Sequence, residues 1–147
     1  MYIEYRIYDT TSNLKEAKEL SDSIFNKYSA TKVTPEFDSA KPVFSVIIIK
    51  NKESIGYIDL RNKIEDKFNG NVEVDVGILP EYRNKGYGKM LVAKLLEEVK
   101  VFQEIKKIYW TYKNTNLASK TLAEISGFKN KIDLDENQTQ LIFKNNY

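Results

Sequence analysis

The sequence predicts a mixed α/β fold, one sheet layer with helices on both faces. Three observations carry that expectation. Segments alternating apolar and polar residues are interleaved with segments of helical period, in the order strand, helix, hairpin, strand, helix, strand, helix, strand. A strand–turn–helix around Pro80 falls at the centre of that order. The 147 residues, 41% apolar and 30% charged, are enough for a single domain (residues 1–147) with a core of its own.

Each element has its own signal. IEYRIYD near the start alternates as a strand, and Leu14, Ala17, Leu20, Ile24 and Tyr28 then recur at helical spacing. Residues Ser29 to Pro42 hold two prolines and no period, which reads as an extended loop of the length that often borders a site. VFSVIIIK and IGYIDLR, separated by the turn NKES, form a hairpin. A polar loop, NKIEDKFNGN, precedes VEVDVGIL, where Val72, Val74, Val76 and Ile78 share one face and Glu73 and Asp75 the other. A helix starts near Tyr87 and buries Leu91, Leu95, Val99 and Phe102. IYWTY is a short aromatic strand. In NTNLASKTLAEISGF, Asn116 is placed to cap a helix and Gly127 to stop it. QTQLIFK supplies the last strand.

Composition excludes several chemistries. With neither cysteine nor histidine there is no thiolate nucleophile, no disulfide, no Cys/His metal site and no Ser-His-Asp triad. Carboxylates, hydroxyls, lysines, backbone amides or a bound cofactor must carry any reaction. The formal net charge of +2 argues against a dedicated binder of nucleic acid or membrane, including an RNA-binding use of the basic and aromatic residues near Arg83 and Tyr109 to Lys113. MYIEYRIYDT has no signal-peptide pattern, and no apolar run approaches the roughly 20 residues of a membrane span, so the expected location is cytoplasmic.

The densest local signal is LPEYRNKGYGKM, Leu79 to Met90. Two glycines beside a helix start let the backbone approach a ligand, while the amides of the first turn point outward and favour an anion. Arg83, Lys85 and Lys89 add local positive charge. A tight connection with solvated lysines accounts equally well for the glycines by themselves. Known phosphate loops do not fit: Lys89 is followed by Met90 instead of the Ser or Thr of a P-loop, and Leu91 stands where a dinucleotide fingerprint needs its third glycine.

Val76-Gly77-Ile78-Leu79-Pro80 followed by Arg83-Asn84-Lys85-Gly86-Tyr87-Gly88 resembles the acetyl-CoA signature of the GNAT superfamily of N-acetyltransferases. Asn116, Ser119, Leu122, Gly127 and Phe128 resemble the same family's later helix, and the element order agrees over almost the whole chain. The resemblance implies a mostly antiparallel mixed sheet with a central, splayed parallel strand pair. It also implies acetyl-CoA as cofactor, its pyrophosphate on the backbone amides of Arg83, Asn84, Lys85, Gly86, Tyr87, Gly88 and Lys89. Val76, Ile78 and Leu79 would run along its pantetheine arm, Asn116 would approach the pantetheine or its thiol end, and Ser119 would also contact the cofactor.

The reaction so implied is direct attack of a primary amine on the thioester, the amine belonging to a small molecule or a peptide. A lysine-like amine has a pKa near ~10 and must first lose a proton. Glu73, on the strand before the turn, is the candidate base, with Asp75 on the same face as its substitute. Many family members carry a tyrosine seven residues after the helix-opening asparagine, where this chain has Ala123. Tyr112 is the candidate acid in its place, with Tyr87 and Ser119 as alternatives. Ala123 also motivates a second reading, a catalytically silent acyl-CoA-binding module. IGYIDLR and the strand after it resemble the branch acting on protein N-termini, but acceptor choice is assigned to the loops Ser29–Pro42 and Asn62–Gly70 and the last strand. The expected assembly is a monomer or a homodimer.

Overall fold

The computed structural model describes residues 2–9, 11–28, 42–62 and 69–145. Their strands form one seven-stranded sheet. In chain order the elements are β1 (Ile3–Tyr8), α1 (Leu14–Tyr28), β2 (Phe44–Lys50), β3 (Glu53–Asn62), β4 (Asn71–Ile78), a 3₁₀ turn (Pro80–Tyr82), α2 (Tyr87–Val99), β5 (Lys107–Lys113), α3 (Leu117–Ile125), β6 (Lys129–Asp133) and β7 (Gln138–Lys144). Strands lie in the order β1-β2-β3-β4-β5-β7-β6, all neighbours antiparallel except β4 and β5. The mixed, mostly antiparallel sheet with a central parallel pair is therefore the observed one.

Local chemistry explains the connections. Asn51 and Lys52 both take positive φ between Lys50 and Glu53, the two-residue turn whose twist suits a hairpin. Asn13 Oδ1 accepts from Glu16 N at 3.1 Å and opens α1. Gly127 ends α3 at φ 95°. Phe128 then turns inward, its ring 5.2 Å from Trp110 and 5.4 Å from Phe143.

Residues directly opposed across a strand pair share a face, so the register divides the sheet cleanly. Ser45, Asp59 and Asp75 lie on one face, where Ser21 of α1 reaches Asp59. Tyr5, Ile48, Gly56 and Ile78 lie on the other, where Lys94 of α2 sits 5.5 Å from the Tyr5 ring and α3 joins α2. Coverage on both faces explains why Phe44 to Ile49 are all buried, without the alternation of a half-exposed strand. β6, KNKID, was not anticipated. It is exposed throughout, and its charges protect the sheet's open edge.

Candidate active site

The parallel ladder between β4 and β5 is short. It joins Asn71 to Lys107, Val72 to Ile108 and Glu73 to Tyr109, and no pairing continues beyond Glu73. The rest of β4 and β5 parts around a cleft of about 400 Å³, bordered by Val76, Gly77, Ile78, Arg83, Gly88, Trp110, Asn116, Ala118, Ser119 and Leu122. This is a strand splay of the kind anticipated.

Parity decides which backbone groups face the gap. Leu79 N–H donates to Ile55 O at 2.9 Å, in phase with the antiparallel ladder to β3. Residues 73, 75, 77 and 79 thus direct their peptide groups at β3, and Val74, Val76 and Ile78 direct theirs toward β5. Past Glu73 that direction is the cleft. The three side chains are half-buried aliphatics in the middle of the sheet. Val76 and Ile78 border the cleft; Leu79 is one step out of phase and buried.

The turn after β4 is built without a side-chain cap. Gly86 is the N-cap of α2 at φ 88°, and a Cβ there would meet nothing within 4 Å. Helix bonding begins with Met90 N–H donating to Gly86 O, so the amides of Tyr87, Gly88 and Lys89 lie ahead of it, and the cap has no side chain to fold onto them. Asn84 also takes positive φ, 60°. Arg83 Nε donates to Ile78 O at 3.1 Å, which ties the turn to the strand end and keeps the guanidinium at the cleft wall. Gly88 answers a steric demand: a Cβ there would lie 3.2 Å from Leu122 Cδ2 of α3.

Tyr87 is buried and packs edge-on against Tyr82, with Lys50 Nζ 5.5 Å from both rings. Tyr82 in turn donates to Glu53 Oε1 at 2.8 Å, which staples the turn to the β2–β3 hairpin. Of the remaining turn residues, Asn84, Lys85 and Lys89 are exposed.

Across the cleft, Asn116 Oδ1 accepts from Ser119 N at 3.1 Å and caps α3. Ser119 Oγ accepts the Trp110 indole N–H at 2.9 Å. Trp110, Ala118, Leu122 and Gly77 border the cleft without having been named as cofactor candidates. Trp110 was legible from the alternation in IYWTY, which puts it on the α3 face, while the other three carry no chemistry of their own. Among the cofactor candidates, the structure thus brings Val76, Ile78, Arg83, Gly88, Asn116 and Ser119 together at one cleft.

The two catalytic candidates are not neighbours. Glu73 stands where the strands begin to part, on the α1 face with its partners Arg61 and Tyr109. Tyr112 is buried on the opposite face, opposed to Thr139, and edges a separate depression with Lys120 and Asp133. Asp75 accepts from Tyr57 Oη at 3.1 Å. Most of the loop Ser29–Pro42 and residues 63–68 of the other acceptor loop lie outside the described residues. Among the described residues no helix is long and apolar enough to cross a membrane, and no cluster of His, Cys, Asp or Glu suits a metal.

Comparison with known proteins gives this geometry a context. Residues 9–128 match the model of the acetyltransferase (GNAT) family. A search of curated proteins gives no match. Among solved structures, a protein provisionally described as a phosphinothricin N-acetyltransferase superposes with TM-score 0.72 at 17% identity, over 99% of this chain and 100% of its own. A Salmonella typhimurium protein solved with its cofactor acetyl-CoA gives 0.67 at 15%, over 98% and 94%. Spermidine N-acetyltransferase from Vibrio cholerae, in complex with CoA and spermine, gives 0.66 at 17%, over 97% and 95%. At these identities the likeness is one of fold.

Proposed function

Since the chain belongs to the GNAT acetyltransferase family, which uses acetyl-CoA, we propose that it is an N-acetyltransferase acting on a primary amine of a small molecule or peptide. The observation that carries this reading is the cleft at the β4–β5 splay, walled by the uncapped α2 start on one side and by α3 on the other.

The residues present fit acetyl-CoA. An open Gly86, an uncapped helix start and the Arg83 guanidinium suit the charge of a pyrophosphate. The β5-facing peptide groups of Val74 and Val76 offer strand-like partners for an amide-bearing arm. When bound, acetyl-CoA supplies a thioester that is open to nucleophilic attack. Asn116 and Ser119 close the far side, and Asn84, Lys85, Tyr87, Gly88 and Lys89 complete the turn. Leu79 supports it from the core.

Glu73 is assigned as base: it sits at the mouth of the splay, on the face opposite the cofactor turn, where an entering amine would meet it. Tyr112 is assigned as the acid that replaces the missing tyrosine. Its position beyond Tyr109 on β5 makes this the weaker of the two roles, and the thiol's own pKa near ~8.5 lowers the demand for an acid. The chain is read as one catalytic domain, because one sheet takes its strands from residue 3 to residue 144, and is assigned to the cytoplasm as a monomer or homodimer.

Ala123, fully buried, favours a second reading, a module that binds acyl-CoA without turnover. A thiol-release assay with acetyl-CoA and a panel of polyamines, amino acids and N-terminal peptides separates the two. Turnover on one amine class, lost in Glu73→Gln, supports the enzyme; binding without turnover on any supports the module.

A further inference from the structure

The α1 face carries a network of charges of which the assigned chemistry uses only Glu73. Asp59 is fully buried on β3. Its Oδ1 accepts from Ser45 Oγ of β2 at 2.5 Å and from Ser21 Oγ of α1 at 3.0 Å. Its Oδ2 accepts from Arg61 Nη2 at 3.0 Å. The same guanidinium has its Nε 3.8 Å from Asp75 Oδ2, and Arg61 directly opposes Glu73 across the β3–β4 ladder. Directly opposed side chains of one face have their Cβ atoms about 5 Å apart. One cation thus lies between two carboxylates, buried Asp59 and Asp75 on β4, and stands opposite a third, Glu73.

We propose that Asp59 is a positioning residue: it holds the Arg61 guanidinium toward the buried side of β3 and so limits how much of that charge reaches Glu73 and Asp75. The proposal rests on Glu73 as the proton acceptor. A carboxylate paired with a full guanidinium is a poorer base than one whose cation is engaged elsewhere. Two serines from two different elements fix Asp59, which makes it a rigid anchor rather than a mobile counter-ion.

The division of charge depends on whether Asp59 is ionised. Burial pushes its carboxyl up to about 7, against the pull of Arg61 and the serine hydroxyls, with Asp75 adding to the rise. Of the other charges on the packed elements, Lys18 of α1 pairs with Asp22 at 2.7 Å, and Glu16 accepts from Tyr8 of β1 at 3.2 Å and lies 3.8 Å from Arg6. Tyr57 donates to Asp75, and Tyr109 completes the face beside Glu73. Above neutral pH the anionic Asp59 engages Arg61. Below it the guanidinium turns its charge on the β4 carboxylates.

The test is carboxyl ¹³C NMR of the parent and Asp59→Asn chains between pH 4 and 9, with thiol-release rates on the best amine of the panel. In the parent, the Glu73 and Asp75 resonances show a second step near pH 7, which Asp59→Asn removes. The ratio of parent to variant kcat/KM, in which the amine's own ionisation cancels, rises several-fold from pH 6 to 8.5, while acetyl-CoA affinity is unchanged. A parent lacking the step overturns the proposal even if Asp59→Asn does not fold, and so does a rate ratio that is constant with pH. Absence of acetyl-CoA binding would instead sink the acetyltransferase reading and leave the NMR result standing.

Discussion

Glu73 and Tyr109 form the last rung of the parallel ladder between β4 and β5. Beyond that rung the strands separate, and every residue assigned to the donor cleft lies after it in β4, in the turn, or in β5 and α3. The pair thus marks the boundary between the paired part of the two strands and the gap to which the donor site is assigned.

The glycine at the α2 cap is there for its backbone. Gly86 has φ 88°, and a Cβ would meet no atom within 4 Å. Gly86→Ala should lower stability by about 1–2 kcal/mol from left-handed strain alone. The measurement is urea denaturation, and a loss below the error of the extrapolation would contradict the assignment. Gly86→Asn should recover part of the loss, because Asn tolerates that region.

Trp110 and Ser119 join the two sides of the cleft floor through a 2.9 Å hydrogen bond. Trp110→Phe and Ser119→Ala should each cost about 1 kcal/mol from that bond, and Trp110→Phe more for its lost volume. The double variant should cost less than the sum of the singles. A double-mutant cycle that closes to zero coupling would show that the bond contributes nothing.

Asp59 makes a signed prediction about pH and stability. Its carboxyl titrates at about 7 in the folded chain and at roughly 3.9 when unfolded. Between these values the folded state binds the extra proton. The contribution is therefore complete below pH ~4 and is lost as pH rises through about 7. Asp59→Asn cannot ionise, so denaturation of both chains at pH 5 and pH 8 should show the variant gaining on the parent as pH rises. A gap that is the same at both pH values means that Asp59 stays ionised across the range.

Glu73→Gln should reduce kcat by about 10²–10⁴, the range of a lost general base, with acetyl-CoA affinity intact. Tyr112→Phe should reduce it far less, given its place beside Thr139 and away from the cleft lining. Steady-state kinetics at saturating acetyl-CoA read both, and a loss in Tyr112→Phe as large as that in Glu73→Gln would contradict the ranking of the two residues.

Periodicity made much of this legible in the sequence. Alternating valines in VEVDVGIL, the paired glycines after Pro80 and the capped helix at Asn116 each encode one local geometry, and each stands where it was expected. β6 escaped because KNKID buries nothing and so leaves no apolar pattern. The extent of the parallel ladder was invisible for another reason: where two strands stop pairing depends on both strands and on α3, not on either sequence. The Asp59–Arg61 network was equally hidden. Both residues sit in IGYIDLR as ordinary strand polar positions, and only the register to Ser45, Glu73 and Asp75 gives them company.

The most direct test of the central claim is calorimetric titration of acetyl-CoA into the parent and Gly88→Val chains. Gly88 leaves room for α2 and α3 to approach, with only 3.2 Å between its Cβ position and Leu122 Cδ2. The cleft reading predicts saturable one-site binding to the parent and affinity at least about tenfold weaker, or ~1.4 kcal/mol, in a folded Gly88→Val. No binding to the parent, or equal affinity in the two, would contradict it.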